Sequence, residues 1–514
     1  MAFQQRTTAG SVNGSPTDSP GSAPMAALTD AQRQQLLAEL REMGRASLEG
    51  DQQFARAFHP ISEHLRVVEP DVYLIVGYHG AGKSMLFKAA VNQLLRSPTI
   101  QRLLGRSLFL HRFADQQAKW LAGYPRTSDF PDVGALRRFA ARFPDERGRA
   151  QALAELWLAY LARLLRDELN APDLEAILAP SGAEIDRIMD ALEHQRSAVI
   201  KALDMLDDRL RTERRWLFVS YDELDTLGGT DWALMVDLIR GLLTFWTEYM
   251  RRWQRLQPKI FLRTDLFANA RVFAADFAKL AANRLELTWS DRNLYAMLIK
   301  RMANTSEDWL AYCQAAGLRF EHDDHLGWIP YLPNLDAARP LIERITGPFM
   351  GGNIKKGRTF FWVLDHLRDG RGQITPRNLV SLWGYAAAQE LDAARASGPQ
   401  ILHPTSLRRA LDQVSDEHLR TLKSREMPWL AELAERLAGR EVPMTRQEWE
   451  ALLARDWPSW CERAEHCPPC QTPAELLDFL IDLGVCRRRP DGRIDVPDLF
   501  LHGLGIKRRG GVKR

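Results

Sequence analysis

The chain has 514 residues, of which 45% are hydrophobic and 26% charged, and its formal net charge is +3. This length favours two or three domains, the composition is ordinary for a soluble globular protein, and the charge alone identifies no nucleic-acid partner. No apolar run approaches the roughly 18 residues that a membrane helix needs. Because the chain also lacks a signal-peptide pattern and a disulfide framework, we expect a cytoplasmic protein with no membrane partner.

The first 28 residues are rich in Ser, Thr, Gly, Pro and Ala. Such a segment cannot bury enough apolar surface to offset its ordering entropy, so the sequence predicts a disordered tail over 1–28. Met25 stands just before the first helical pattern, and we interpret it as an alternative start of translation. The first folded domain is predicted to span 29–290.

Five short apolar segments in that domain predict strands, at 71–76, 107–113, 216–225, 259–267 and 284–289. The text between them has helical periodicity, above all over 115–213. Strands that alternate with helices predict a parallel sheet and an α/β fold.

The strand signals stop after Asp291, and 291–400 is predicted to form a helical lid around the glycine-rich stretch "GPFMGGNIKKG". The last unit, 401–514, contains helices and ends in "VCRRRPDGRIDVP", where two short strands flank a Pro-Asp-Gly turn. Helices followed by a β-hairpin predict a winged-helix domain.

The stretch "VYLIVGYHGAGKSM" matches the phosphate-binding pattern G-x-x-x-x-G-K-[ST] and lies between a predicted strand and a predicted helix. Glycines let the backbone curl so that its amides and the helix N-terminus face phosphate oxygens. In such loops the lysine reaches the β- and γ-phosphates and the serine binds Mg²⁺. The predicted nucleotide-binding residues are Gly77, Tyr78, His79, Gly80, Ala81, Gly82, Lys83, Ser84 and Met85.

A second motif, "WLFVSYDELD", carries acids at the end of an apolar strand. Asp222 is expected to hold Mg²⁺ together with Ser84, as in a Walker-B strand. Glu223 is expected to polarise the water that attacks the γ-phosphate. Asp225 is interpreted as a supporting acid behind these two.

Further polar residues are candidates for contact with the transferred phosphate. Arg263 or Thr264 lies at the tip of the fourth predicted strand, where its side chain either touches the γ-phosphate or the attacking water, or fixes a loop. Arg377 either closes over the phosphates from the lid or is structural. Arg284 either reaches the nucleotide of a neighbouring subunit or is an ordinary surface arginine.

In this order, Gly77–Ser84, Asp222–Glu223, Arg263–Thr264 and Arg377 resemble the site residues of AAA+ ATPases and their signalling relatives, the STAND ATPases. The stretches "RLELTWSDRNLYAMLIKRM" and "DGRGQITPRNLVSLWGYAA" resemble P-loop ATPases of bacterial conflict loci, which are often anti-phage systems. The resemblance covers about 60–500. It implies a core that hydrolyses ATP with Mg²⁺, a helical lid and a C-terminal winged helix.

The chain departs from this family in one respect, because Lys83 and Asp222 are 139 residues apart, about twice the usual spacing. We therefore predict a helical insertion over 115–213, which either senses a partner or packs structurally. The hairpin and tail are basic, so the winged helix is expected to contact either nucleic-acid phosphates or a protein.

These observations favour an oligomeric ATPase that couples ATP turnover to a partner or effector encoded nearby, in a bacterial defence or DNA-linked system. One alternative is a signalling switch that hydrolyses ATP slowly and assembles on a trigger. Another is a DNA-binding adaptor in which the nucleotide is structural.

Overall fold

The computed structural model describes residues 28–45, 51–92, 94–104, 117–124, 130–178, 185–229, 231–269, 277–393, 400–460, 467–468 and 470–509. Residues 1–27, which hold nearly all of the predicted tail and its Met25, lie outside this part of the chain. The strand predicted at 107–113 lies outside it as well.

Five parallel strands form one sheet with the order β2-β3-β4-β1-β5. The strands are β1 (Leu74–Gly77), β2 (Gln117–Tyr124), β3 (Arg215–Tyr221), β4 (Leu256–Arg263) and β5 (Leu285–Glu286). Every residue of β1 and β4 is buried, because two apolar cores lie on opposite faces of the sheet. Gly77 lies opposite Arg263 and Tyr221 opposite Ile260, so β1, β3 and β4 end at the same edge. The predicted parallel α/β sheet is confirmed.

Strand β2 lies inside the stretch 115–213, which the sequence predicts to be mostly helical and in which it predicts no strand. Among the described residues β2 pairs with β3 alone and lies at the edge of the sheet, and its exposed positions carry polar residues such as Gln117 and Lys119. Its buried positions, among them Ala118 and Trp120, therefore form no continuous apolar run. The helical insertion begins after Tyr124 and not at 115.

Eleven helices are described up to the end of the sheet. They are α1 (Asp30–Arg45), α2 (Asp51–Ala57), α3 (Lys83–Val91), α4 (Pro98–Leu103), α5 (Val133–Ala140), α6 (Glu146–Leu164), α7 (Glu175–Leu178), α8 (Ile185–Thr212), α9 (Trp232–Tyr249), α10 (Thr264–Asn269) and α11 (Phe277–Ala282). Helices α5 to α8 form the described part of the insertion.

Helix α6 of the insertion packs directly on α9. The indole nitrogen of Trp157 donates to the carbonyl oxygen of Leu238 at 2.9 Å, and a Cβ added at Gly241 would lie 2.5 Å from the Cβ of Leu153. This part of the insertion therefore packs against the core of the first domain and has a structural role. Helix α8 keeps an exposed face, where the side chain of Met205 is 63% exposed.

The lid contains five helices and a hairpin: α12 (Asp291–Ala303), α13 (Glu307–Ala315), β6 (Arg319–Asp323), β7 (Gly327–Tyr331), α14 (Arg339–Thr346), α15 (Thr359–Leu367) and α16 (Pro376–Asp392). The prediction that strands stop after Asp291 is wrong. The Asp323 carboxylate accepts the amides of His325 and Leu326 at 2.9 and 2.8 Å, which closes the hairpin turn. No residue of β6 is fully buried, so the strand lacks an apolar pattern.

Helix α1 precedes the sheet in sequence but packs on α16 of the lid. The backbones meet at Gly44 and Gly384, where a Cβ added at Gly384 would lie 2.7 Å from the Cα of Gly44. Nearby, the buried guanidinium of Arg33 pairs with Glu390 at 2.8 Å. The lid core therefore includes an N-terminal helix.

The C-terminal unit consists of short helices and small strand pairs. It comprises α17 (Pro404–Thr421), α18 (Leu430–Leu437), β8 (Glu441–Val442), α19 (Arg446–Leu453), α20 (Trp457–Trp460), α21 (Pro473–Asp482), β9 (Arg487–Arg488), β10 (Ile494–Asp495), α22 (Asp498–Leu501) and β11 (Lys507–Arg508). Strands β9 and β10 are antiparallel, and the turn between them contains Gly492 at φ +81°. Helices followed by this hairpin have the arrangement of a winged-helix domain.

Three arginines of this domain converge on one buried acid. The carboxylate of Asp495 lies 3.0 Å from Arg487, 3.1 Å from Arg489 and 2.7 Å from Arg508. These cations neutralise a fully buried charge, which would be costly without them. Much of the basic character that the sequence assigns to the wing is therefore used inside the domain.

In the described ranges, no helix is both long and apolar enough to span a bilayer.

The Gly44–Gly384 contact gives a test of the packing of α1 on the lid. Gly384→Ala should destabilise the protein by about 1–3 kcal/mol, because the added methyl group overpacks two backbones. Urea unfolding would measure the loss. Gly352→Ala is the control, since a Cβ there meets nothing within 4 Å, and equal stability of the two variants would contradict the close packing.

Candidate functional site

A cavity of about 990 Å³ opens at the edge where β1, β3 and β4 end. Its walls come from the loop before α3, from the residues after β3 and β4, from lid helices α12 and α16, and from the segment 57–64. The predicted site residues that line it are His79, Gly80, Gly82, Lys83, Ser84, Met85, Asp222, Glu223, Arg263 and Arg377. One cavity thus unites both sequence motifs.

The glycine-rich loop has the backbone shape that its sequence predicts. Gly80 and Gly82 have φ values of +77° and +100°, which residues other than glycine rarely adopt. The Lys83 ammonium donates to the carbonyl oxygens of Gly77 and Tyr78, each at 3.0 Å. Ala81 takes part through its own carbonyl, which accepts the indole N–H of Trp289 at 2.8 Å. Gly77, Tyr78 and Ala81 therefore shape the loop without lining the cavity.

The Lys83 ammonium is partly buried, and this desolvation lowers its pKa from the usual value, although the nearby Asp222 carboxylate opposes the shift. A cation in this position gains stability from added negative charge. The loop is therefore suited to a phosphate group.

The Asp222 carboxyl lies near the Ser84 hydroxyl. Burial raises the pKa of Asp222, while the Ser84 hydroxyl and the Glu223 amide act in the opposite direction. A hydroxyl and a carboxylate close together fit Mg²⁺, which takes oxygen ligands and completes its shell with phosphate and water. In the described ranges no three His, Cys, Asp or Glu side chains form a metal cage.

Glu223 follows Asp222 in a left-handed conformation, with φ 53° and ψ 29°. Such backbone geometry in a residue other than glycine is costly and is frequent at functional sites. The Thr226 hydroxyl and amide hold it by donating to the Glu223 carbonyl at 2.8 and 2.9 Å. The exposed Glu223 side chain is thereby turned toward the cavity.

Arg263 and Thr264 have different surroundings. Arg263 is buried and its guanidinium binds Asp265 at 2.6 Å and Asp225 at 3.6 Å. Asp225, interpreted from sequence as a supporting acid, holds this arginine. Thr264 begins α10, and its hydroxyl opposes the rise in the pKa of Tyr78 that burial causes.

The two remaining arginines are separated. Arg377, at the start of α16, lines the cavity and its guanidinium contacts the His79 ring. Arg284 lies just before edge strand β5, is not a lining residue, and pairs with Glu286 at 2.8 Å on the surface. The structure therefore brings Arg377 to the cavity and leaves Arg284 outside it.

Sequence reasoning missed an aromatic wall of the same cavity. The His64 ring stacks on Phe58 with centroids 5.5 Å apart and meets the edge of Trp289 at 5.6 Å. Burial lowers the pKa of His59 and His64 to about 3, so both imidazoles are neutral. The only signal was the stretch "FHPISEHL" before β1. A flat wall with neutral ring nitrogens suits a purine base.

Neither the protein-family models nor the curated proteins contain a match to this chain. Among solved structures, similarity is found to Cdc6p from Pyrobaculum aerophilum, at 13% identity over 95% of both chains with a TM-score of 0.28. The ORC2 protein of Aeropyrum pernix is similar in its ADPNP–ADP complexes (15% identity, 95% and 97% of the chains, TM-score 0.28) and in its ADP form (14%, 88% and 90%, 0.28). These likenesses are too distant to support an argument about function.

The sheet itself defines the class of fold. The P-loop strand β1 is central, and β4 separates it from β3, the strand that carries Asp222 and Glu223. With the helical lid and the winged-helix domain, this is the parallel-sheet α/β fold with a central P-loop strand that the sequence predicts.

The raised pKa of Asp222 leads to a test in the nucleotide-free protein. A raised pKa means that the folded state favours the protonated acid, so the charged carboxylate destabilises the fold at neutral pH. Asp222→Asn should therefore raise the melting temperature at neutral pH. The gain should shrink as the pH falls through the pKa of Asp222 in the folded protein, where the wild type takes up a proton.

The control is Asp324→Asn, since the Asp324 side chain is 96% exposed. It should leave the melting temperature unchanged at every pH. A stabilisation by Asp222→Asn that persisted undiminished in acid would contradict the assigned pKa direction.

Proposed function

We propose that this protein binds and hydrolyses ATP. The observation that supports the proposal is the meeting of Lys83, Ser84, Asp222 and Glu223 around one cavity at the edge of the sheet. The loop amides and Lys83 bind the phosphates. Ser84 and Asp222 hold Mg²⁺, which when bound neutralises charge on the phosphate oxygens. Glu223 accepts a proton from the attacking water.

The base of the nucleotide is proposed to lie against the wall formed by Phe58, His64 and Trp289. Stacking supplies most of the affinity there, because aromatic faces bind any flat ring. The neutral ring nitrogens of His59 and His64 give polar partners. The Nδ1 atoms of both rings are buried without a hydrogen bond, which supports a role in ligand recognition.

Arg263 and Arg377 are proposed to respond to the γ-phosphate. Arg377 begins α16, so a contact with phosphate would draw the lid toward the sheet. Thr264 is proposed to act through Tyr78 of the loop. Each arginine already has a partner, Asp265 or His79, and must exchange it for phosphate.

We further propose a homo-oligomer in which Arg284 acts on the nucleotide of a neighbour. Its position outside its own cavity, with a partly exposed side chain, supports this role. Hydrolysis is proposed to drive or reset a conformational change that a partner or effector reads. The bacterial defence or DNA-linked setting rests on the sequence resemblance, and the identity of the neighbouring genes would test it.

A slow switch is the second candidate function, and the paired state of Arg263 and Arg377 favours it. If both arginines leave their partners only on assembly, basal turnover is low. Measuring mass and turnover with and without ATP separates the two functions. Fast constant turnover supports a motor, whereas negligible turnover with ATP-dependent assembly supports a switch.

The adaptor function is disfavoured, because Arg487, Arg489 and Arg508 are engaged by Asp495. Salt-dependent DNA binding that persists in Lys83→Ala would revive it.

Glu223→Gln tests the assigned general base. Turnover of ATP should fall about 10²–10⁴-fold, because the amide cannot accept the proton of the attacking water. Affinity for ATP should be retained, since Glu223 holds neither phosphate nor metal. Steady-state phosphate release and equilibrium binding of a fluorescent ATP analogue would measure the two effects.

The matched control is Glu213→Gln, the same change at an exposed acid just before the other end of β3. It should turn over ATP at the wild-type rate. Equal turnover by Glu223→Gln and wild type would show that Glu223 is not the general base. If Lys83→Ala bound ATP with wild-type affinity, Lys83 would not be a phosphate-binding residue.

A further inference from the structure

A short loop of the lid lies between the nucleotide loop and the C-terminal domain. This bridging loop, residues 369–373, joins α15 to α16. The carboxylate of Asp369 accepts the amides of Arg371 and Gln373 at 2.9 and 2.8 Å, and the Asp369 amide donates to the Gln373 carbonyl at 2.9 Å. The loop is therefore held in one conformation by its own hydrogen bonds.

On one side, the bridging loop binds the turn that follows α21. The Gly370 amide donates to the Gly484 carbonyl at 2.6 Å, and the Arg371 guanidinium donates to the Leu483 carbonyl at 3.4 Å. A Cβ at Gly370 would lie 2.1 Å from the carbonyl oxygen of Cys486, so the two backbones touch. Gly484 itself has φ +79°. A shift of this turn must therefore move the bridging loop.

On the other side, the loop contacts the nucleotide loop. The Arg371 guanidinium lies 3.7 Å from the centre of the Tyr78 ring, a cation–π contact. The Thr264 hydroxyl, just after the end of β4, lies close enough to the Tyr78 side chain to oppose the rise in the pKa of Tyr78 that burial causes. Tyr78 faces a second, small cavity that it shares with Val485 and Phe500 of the C-terminal domain.

These contacts form one continuous path from Leu483 and Gly484 through Arg371 and Tyr78 to Thr264. We propose that Arg371 is a positioning residue that couples the position of the C-terminal domain to the nucleotide loop. The proposal rests on the proposed function, because it assumes that ATP binds this loop. A partner that displaces the C-terminal domain thereby changes ATP affinity, and ATP changes the domain's position by the same free energy.

A double-mutant cycle tests this coupling in the full-length protein. Arg371→Ala removes the contact with Tyr78, and Gly484→Ala disturbs the turn on the far side, where its Cβ would lie 2.9 Å from the Asp369 carboxylate and 3.4 Å from Arg371 Nε. Each single change should weaken binding of a fluorescent ATP analogue with Mg²⁺ by roughly five-fold or more. The double variant should bind no more weakly than Arg371→Ala, because the path is already cut.

Gly492→Ala is the matched control. Gly492 has φ +81° in the same domain, but a Cβ there meets nothing within 4 Å, so the variant has similar backbone strain without contact to the lid. It should leave ATP affinity unchanged. Arg371→Lys should restore binding only in part, since an ammonium keeps the charge but loses the planar stack on Tyr78.

Hydrogen exchange gives a second measurement, which serves if Gly484→Ala does not fold. The ATP analogue should change the exchange of the amides at 480–486 in the wild type and leave it unchanged in Arg371→Ala. Additive effects in the cycle, or an ATP-dependent change that survives in Arg371→Ala, would overturn the coupling. A wild type that does not bind ATP would instead overturn the proposed function.

Discussion

The site depends on the closeness of the Ser84 hydroxyl to the buried Asp222 carboxyl. The two residues follow different strands, β1 and β3, which do not pair with each other. They meet because β4 lies between them in parallel register and all three strands end at one edge. A shift in the register of one strand would separate the two proposed metal ligands. The pairing of the buried strands therefore fixes the geometry of the site.

The same site places opposite charges where both are partly removed from water. Burial lowers the pKa of Lys83 and raises that of Asp222, so both side chains are pushed toward their neutral forms. The phosphates and Mg²⁺ of the proposed function would supply charges of opposite sign to these two groups and offset the cost of burial. The proposed ligand would therefore stabilise the site, as is usual for sites that bind charged molecules.

The N-terminal helix α1, the lid and the segment before the aromatic wall are joined near this edge of the sheet. The N-terminal helix α1 is fused to the lid through Gly44, Gly384 and the buried pair of Arg33 with Glu390. Lys300 of α12 ties the lid to the segment before the aromatic wall, because its ammonium donates to the carbonyl oxygen of Arg56. The same ammonium donates to the Leu326 carbonyl of the lid hairpin at 2.6 Å. Conformational changes at the candidate site can therefore be transmitted to the lid through packed contacts.

Local patterns determined much of this protein. The glycines before Lys83 require positive φ, and the acids after β3 follow a strand that is buried along its length, so loop, strand and chemistry are all readable from neighbouring residues. The parallel sheet and the hairpin of the C-terminal domain could be predicted for the same reason. A buried strand and a Pro-Asp-Gly turn are both signals that neighbouring residues carry.

Other features depend on partners far away in sequence, and only the tertiary structure decided them. Strand β2 alternates buried and exposed positions and strand β6 has no buried residue, so neither leaves a continuous apolar run. The aromatic wall needs Phe58 and His64 to meet Trp289, more than two hundred residues later. The wing arginines look free in sequence, yet Asp495 holds three of them. The charge and hydrophobicity of neighbouring residues do not reveal which distant groups the fold brings into contact. In this protein those long-range contacts decide which residues are structural and which belong to the candidate site.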